Sequence, residues 1–399
     1  MSSSKLDYRL LGPGVFIVAT CYGLARYAYG LFIPVFREVF SLSDSWLAFV
    51  AAAAYANYFI ATLVGIYFSS KLSPRTSVVV GGLFATVGLG LVAISSSPLQ
   101  LACGVAIAGV SPGLAYTPFS EIVSKHVTAD RQRFVYSVIN SGTSLGVMIS
   151  GPLAITFNQN WRFAWAFFGV FSLFSTLWCG YAIPKKSTTG AASLERFKLS
   201  DFAGKDRLRI LGVALMIGIA TSIYWTFAVD LVTANVADPI RIGDWSLDNK
   251  TFSQIFWTMV GLSGFAGVFA GAIVNRLGVL LSLAIFQLGI SLATLSLTLV
   301  ISIAAVLCSG LIFGAFFVFM AATLGMWSMD LFKGQTTLGF GLTFLALSLG
   351  QFVGPSLVGL LANQLPLATL FMLSALVSFG TVLFLPFEFL SARSKGLAD

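Results

Sequence analysis

A single arginine, Arg26, lies in the middle of the apolar run LLGPGVFIVATCYGLARYAYGLFIPVF, residues 10–36. Its guanidinium does not give up its proton, so it cannot turn neutral to suit an apolar medium. At bilayer depth it costs about 2.5–3.5 kcal/mol on insertion scales, so it is expected to face a polar cavity. No acid lies in the central third of any apolar run of this chain. The arginine fork matches a carboxylate, phosphate or sulfonate, so an anion contact is the chemistry expected at Arg26. The alternative is a structural or gating arginine held by carbonyls or a buried carboxylate. At α-helical spacing Tyr22, Tyr29, Gly30 and Ile33 share its face. Their phenols can donate to a carboxylate or keep the arginine solvated.

Other polar side chains recur at membrane depth. Tyr224 and Trp225 lie in GIATSIYWTF, with Tyr224 read as cavity lining and Trp225 as core. Gln351 shares a face with Leu347 and Gly354, Gln254 with Trp257, and Asn140 with Thr143 and Ser144. Asn57 sits in YANYF between Tyr55 and Tyr58. Buried amides need partners, so each is a ligand contact or an interhelical hydrogen bond. Arg26, Tyr29, Tyr224, Gln351, Tyr22, Asn57, Asn140, Gln254 and Trp257 are the candidate substrate contacts. Glu121 and Asp330 fall at helix ends near Lys71, Arg75 and Arg276, where charge pairs close a gate. Asp230, near the opposite end of its run, is a gate or a proton site. Pro112 and Pro118 in GVSPGLAYTPFSE should kink their helix.

The elements that position these residues follow from composition. Hydrophobic residues make up 57% of the 399 and charged residues 10%, against about 25% charged in a soluble domain. The chain is therefore an integral membrane protein, and runs of helical length exclude a transmembrane β-barrel. Spans are predicted at 10–36, 46–69, 76–95, 99–124, 133–157, 162–183, 207–233, 251–273, 279–299, 301–326, 335–362 and 366–388. All Lys and Arg except Arg26, Arg37, Arg162, Arg241 and Lys250 then fall on one side. The net charge of +8 is thus a topology signal, placing both termini in the cytoplasm and giving no cause to invoke nucleic acid. The cysteines Cys21, Cys103, Cys179 and Cys308 lie within spans at no metal-like spacing and are read as small buried apolar residues.

The polar stretch 184–206 divides the spans into an N-terminal six-helix bundle, 1–183, and a C-terminal one, 207–399. Sequence similarities recur across the divide in the same order. SLGVMISGP (Ser144 to Pro152) answers SLGQFVGP (Ser348 to Pro355), and GIYFSSKLSPR from Gly65 answers GAIVNRLG from Gly271. GLARYAYGLF from Gly23 answers GIATSIYWTF from Gly218, setting Tyr29 opposite Tyr224. Glu121 with Lys125 answers Asp330 with Lys333.

On these residues the chain resembles the major facilitator superfamily. GAIVNRLG looks like that family's G-x-x-x-D-R-x-G motif with Asn275 in place of the acid, and Ser69 and Ser70 replace Asp and Arg in the first copy. SLGQFVGPSLVG resembles its Gly-Pro motif, while the family's span-four arginine is absent from QLACGVAIAGV. The resemblance implies an all-α membrane fold, two pseudo-symmetric six-helix bundles around a central site. The departures weaken any transfer of the antiporter mechanism.

No G-x-x-x-x-G-K-[ST], H-E-x-x-H or G-x-S-x-G occurs, which counts against ATP drive and against an enzyme; no cofactor is expected. The expectation is a monomeric secondary transporter of the inner (plasma) membrane. It moves a small organic anion, with protons or a counter-anion as coupling partner. Efflux of hydrophobic drugs is one alternative, and a membrane sensor or lipid-handling enzyme is another.

Overall fold

The computed structural model describes residues 3–68, 72–128, 130–184, 204–242, 245–299, 302–332 and 336–385. Among them, eleven helices are long and apolar enough to cross a bilayer, and a twelfth, Leu367–Leu383, is shorter. Spans 1 to 6 are Arg9–Phe40, Asp44–Phe68, Pro74–Ala93, Pro98–Ala115 (prolonged by the helix Thr117–His126), Gln132–Thr156 and Trp161–Ala182. Spans 7 to 12 are Lys205–Asn235, Asn249–Leu277, Val279–Leu299, Ile303–Leu331, Thr336–Leu361 and Leu367–Leu383. A two-stranded hairpin, Ile240–Ile242 with Trp245–Leu247, joins spans 7 and 8. Most of the expected linker, 185–203, and Lys71 lie outside the described residues.

These segments are helices because an apolar solvent leaves the backbone no other way to satisfy its polar groups. The starts are capped where the chain re-enters. Ser73, Ser97, Asp248 and Ser302 each accept a hydrogen bond from the amide three residues on. Burial of Asp248 acts to raise its pKa, but hydrogen bonds from Thr251 and nearby amides outweigh that and hold it below the usual carboxylate range. Pro112 and Pro118 act as expected and break span 4. Each stands at the head of a new short helix, Ser111–Ala115 and Thr117–His126, where a missing amide hydrogen costs least.

Outward faces are apolar throughout. Span 6 presents Phe163, Phe167, Val170, Phe174 and Leu177, a lipid-facing stripe at helical spacing. Cys103 and Cys308 also face outward, so of the four cysteines only Cys21 and Cys179 are buried as expected; an outward-facing thiol is apolar enough to meet lipid.

Spans 1 to 6 meet spans 7 to 12 chiefly where span 1 lies on span 7, span 2 on span 11 and span 5 on span 8, with further contacts of span 4 to span 11 and of span 5 to span 10. Glycines set the distances. A Cβ on Gly30 would fall 2.2 Å from the carbonyl oxygen of Trp225, and one on Gly261 would fall 2.3 Å from the amide of Met148. Within the first six spans, a Cβ on Gly23 would fall 2.5 Å from the Cα of Gly146. That contact lies in the least regular part of the molecule. Ala19–Tyr27 is a π-helix inserted between the α-helices Ser3–Val18 and Ala28–Phe40. Its wider turn, with hydrogen bonds from i to i+5, is uncommon and concentrates at functional sites.

Gly23→Val should therefore lower the apparent melting temperature of the detergent-solubilised protein, with a cost of about 1–3 kcal/mol or more for overpacking against backbone. Gly90→Ala, where nothing lies within 4 Å of the added Cβ, should be neutral or stabilising by about 0.5–1 kcal/mol.

Candidate functional site: an arginine in a tyrosine cage

The π-helix turns Arg26 into the centre of the molecule, where the residue is 5% exposed. Four tyrosines surround it. Its guanidinium carbon lies 5.1 Å from the ring centroid of Tyr22, 5.0 Å from Tyr27, 4.9 Å from Tyr55 and 4.3 Å from Tyr58. A cation over an aromatic face gains about 2 kcal/mol when desolvated, so the cage offsets part of the burial cost without supplying a negative charge. Among the described residues, the buried charged side chains are Arg26 and Glu121, and no acid forms an ion pair with Arg26.

The cage joins both sets of spans. Nη2 of Arg26 donates to the side-chain oxygen of Gln351, on span 11. Tyr55, on span 2, meets the Thr226 hydroxyl of span 7 at 3.5 Å. Tyr27 stacks on Trp225 with centroids 4.0 Å apart, and Trp225 stands edge-on to Trp257 at 5.4 Å. Several buried donors here have no acceptor: Nε and Nη1 of Arg26, Nε2 of Gln351 and Nε1 of Trp225. Leaving a buried donor unpaired costs about 1–3 kcal/mol, and more when it is charged.

Polar and aromatic layers close the cage on each side. Towards the face that carries the chain termini, Tyr22 stands edge-on to Tyr116 at 5.1 Å. Tyr116 donates to Asn140 at 2.8 Å and meets the Tyr136 hydroxyl at 2.5 Å. Phe340 and Phe344 of span 11 pack against the Tyr116 ring at 5.7 and 5.4 Å. Further out, Arg133 reaches across to Asn275 at 2.6 Å and to Asp330 at 3.4 Å. At the opposite, distal face, Arg37 pairs with Asp230 at 2.7 Å and also with Asp44, while Lys250 pairs with Glu38 at 2.7 Å.

The expected contacts separate into distinct places. Arg26, Tyr22 and Gln351 converge. Tyr29 does not join them: its hydroxyl donates to the Leu47 carbonyl at 2.9 Å. The π-turn is the reason, since it breaks the α-helical register between residues 26 and 29 and brings Tyr27 inward instead. Tyr224 also points away, stacked on Phe313 at 3.6 Å with its hydroxyl on Ser309 at 2.9 Å. Its neighbour Trp225, expected in the core, lies against the cage. Asn57 donates to the Ala106 carbonyl at 2.8 Å, tying span 2 to span 4. Asn140 donates to Val318 at 3.3 Å, and Trp257 donates to Ser150 at 3.0 Å. Gln254 is buried with its side-chain oxygen unpaired. Asp330 takes Arg133, not Arg276, as its partner; Arg276 is exposed at the end of span 8. Arg75 borders a shallow groove with Tyr181, on the outer side of spans 3 and 6. Glu121 is buried in the helix Thr117–His126. Among the described residues, no group of His, Cys, Asp and Glu side chains could hold a metal ion.

Tyr55 and Tyr58 had a visible signal, because i and i+3 on one helix share a face. Tyr27 had none, since nothing local marks a π-turn.

The sequence model of the family described as "Uncharacterised MFS-type transporter YbfB" matches residues 18–385. The chain belongs to this family. Its membership makes it a transporter of the major facilitator type, with the all-α fold described above. Among curated proteins, it is similar to Monocarboxylate transporter 12 of Rattus norvegicus, 29% identical over 168 residues, 41% of this chain and 34% of that protein. It is also similar to Monocarboxylate transporter 11 of Homo sapiens, 27% identical over 210 residues, 49% of this chain and 43% of the relative. The chain thus spans less than half the length of these relatives. A solved POT family transporter in complex with 5-aminolevulinic acid superposes with a TM-score of 0.70 at 15% identity, covering 94% of this chain and 95% of its own. That likeness is one of fold.

The cage predicts a graded response. Tyr58→Phe, which keeps the ring and loses the 3.2 Å hydroxyl contact with Tyr22, should change the melting temperature little. Tyr58→Leu, which removes the nearest aromatic face, should cost about 1–2 kcal/mol. Thermal melts of both variants in detergent check the order.

Proposed function

We propose that this transporter is a secondary carrier for a small organic monoanion of the carboxylate type, bound at Arg26. One observation carries the reading: a buried guanidinium with two N–H groups lacking acceptors, beside an amide with a free Nε2 donor, and no carboxylate paired with it. An anion arriving from solution supplies what the protein leaves out. The cage holds one fixed positive charge, so one negative charge is balanced there. A second would be buried unpaired, a cost of several kcal/mol. The names of the Monocarboxylate transporter relatives point the same way.

Tyr22, Tyr27, Tyr55 and Tyr58 surround the anchor, and Trp225 extends the wall. Tyr29, Tyr224, Asn57, Asn140 and Trp257 act on the packing that holds it. The two halves, 1–183 and 207–399, rock about this centre. Arg37 with Asp230 and Lys250 with Glu38 close the distal side; Arg133 with Asp330, and the Tyr116 layer, close the other. Asp230 is engaged by Arg37, which supports a gate there over a proton carrier. With no carboxylate at the anchor, a proton enters with the substrate or a counter-anion leaves in exchange. The excess of Lys and Arg on the terminal side supports cytoplasmic termini in an inner (plasma) membrane. Arg26 and the residues around it all come from one chain, and the carrier is proposed to act as a monomer.

Purified protein in liposomes, offered lactate, pyruvate, acetate and benzoate, provides the test. Arg26→Ala should reduce uptake of the best-transported acid at least about tenfold, since removing one partner of a buried charge pair costs 2–5 kcal/mol. Arg26→Lys should also lose most activity, because an ammonium cannot form the fork. Undiminished uptake by Arg26→Ala would exclude the anchor.

A further inference from the structure

The bond between Arg26 and Gln351 has a stereochemical consequence. A guanidinium offers a carboxylate two edges for a two-point contact, Nε with Nη2 or Nη1 with Nη2, and Nη2 belongs to both. Gln351 holds Nη2. Nη2 carries one hydrogen on each edge, so Gln351 closes one edge to a carboxylate and leaves the other open, with Nε and Nη1 unpaired. The Gln351 oxygen thus occupies one of the two places on Nη2 that a substrate oxygen could take.

We infer that Gln351 is a built-in stand-in for the substrate, one that lets the empty carrier close and reorient. This rests on the reading of Arg26 as the anion anchor. Arg26 belongs to span 1 and Gln351 to span 11, so their bond crosses the seam between the two halves. Gln351 is fully buried, and its Nε2 has no partner. Its oxygen is spent on the guanidinium, and its Nε2 makes no hydrogen bond of its own. When an anion displaces the oxygen, Nε2 is in place to donate to the newcomer. The closed carrier thus exists in two forms, one with Gln351 on Nη2 and one with substrate there.

The stand-in determines the mode of transport. A carrier that cannot close without substrate can only exchange one anion for another, because the empty form cannot return. With Gln351 covering the arginine, the empty form returns and net movement follows. Removing the stand-in has two opposite effects. Binding gains, because an internal competitor worth a hydrogen bond to a charged group is gone. Net transport suffers, because the empty cage then holds an arginine without the amide acceptor on Nη2.

Gln351→Ala, compared with the wild type and Arg26→Ala, tests this. In Gln351→Ala the dissociation constant for the best-bound acid of the lactate, pyruvate, acetate and benzoate panel should fall about tenfold. Exchange in liposomes preloaded with that acid should persist, while net uptake into empty liposomes should drop at least about tenfold. A third reading needs no ligand. Spin labels are attached at Phe49→Cys and Leu360→Cys on the distal face, and at Phe134→Cys and Leu208→Cys on the terminal face, all exposed positions. In ligand-free wild type both pairs should give the short distances of the closed form; in Gln351→Ala at least one pair should gain a longer population. Weakened binding, an equal loss of exchange and net uptake, or unchanged label distances would each overturn the stand-in role. Arg26→Ala that binds and transports like the wild type would instead remove the anchor on which it rests.

Discussion

A permanent positive charge in a medium that cannot solvate it is the constraint around which this molecule is arranged. Arg26 has no ion-pair partner among the described residues, and the protein answers with weaker forces added together. Four aromatic faces, one amide oxygen and a widened helical turn bear the cost that a single carboxylate would otherwise offset. A carboxylate would have neutralised the site for good. Aromatic faces hold the cation and leave its Nε and Nη1 unpaired.

That choice places demands on the surrounding helices. The π-turn needs room, and the pairing of Gly23 with Gly146 provides it by letting span 1 lie on span 5. The seam between the halves needs backbone close to backbone, and Gly30 and Gly261 permit that at spans 7 and 5. In lipid there is no hydrophobic drive between helices, so close contact and interhelical hydrogen bonds hold them together. Asn57 to Ala106, Asn140 to Val318 and Trp257 to Ser150 are such bonds. Among the described residues, the ion pairs of Arg37, Lys250 and Arg133 lie towards the ends of the spans, where water lowers the cost of opening them.

The contacts towards the two faces differ in kind. The distal face is closed by Arg37 between Asp230 and Asp44, and by Lys250 with Glu38. The terminal face is closed chiefly by rings, Tyr116 and Tyr136 against Phe340 and Phe344, with the looser contact of Arg133 to Asp330 outside them.

Composition and periodicity alone determined the membrane class, the helical spans and the singular position of Arg26, because apolar length and a misplaced charge are local properties. Pro112 and Pro118 marked the breaks of span 4 for the same reason: a missing amide hydrogen acts wherever it is. The partners of Arg26 were another matter. α-Helical spacing selected Tyr29, and the π-turn presented Tyr27; the repeat selected Tyr224, and the fold turned its neighbour Trp225 to the cage. Asp330 was expected beside Arg276 and lies against Arg133, a residue almost two hundred positions away in the chain. Gln351 was visible as a buried amide, but its bond to a guanidinium 325 residues earlier exists only once two helices meet. Which side chains converge depends on helix rotation, and that is set by packing across the whole bundle.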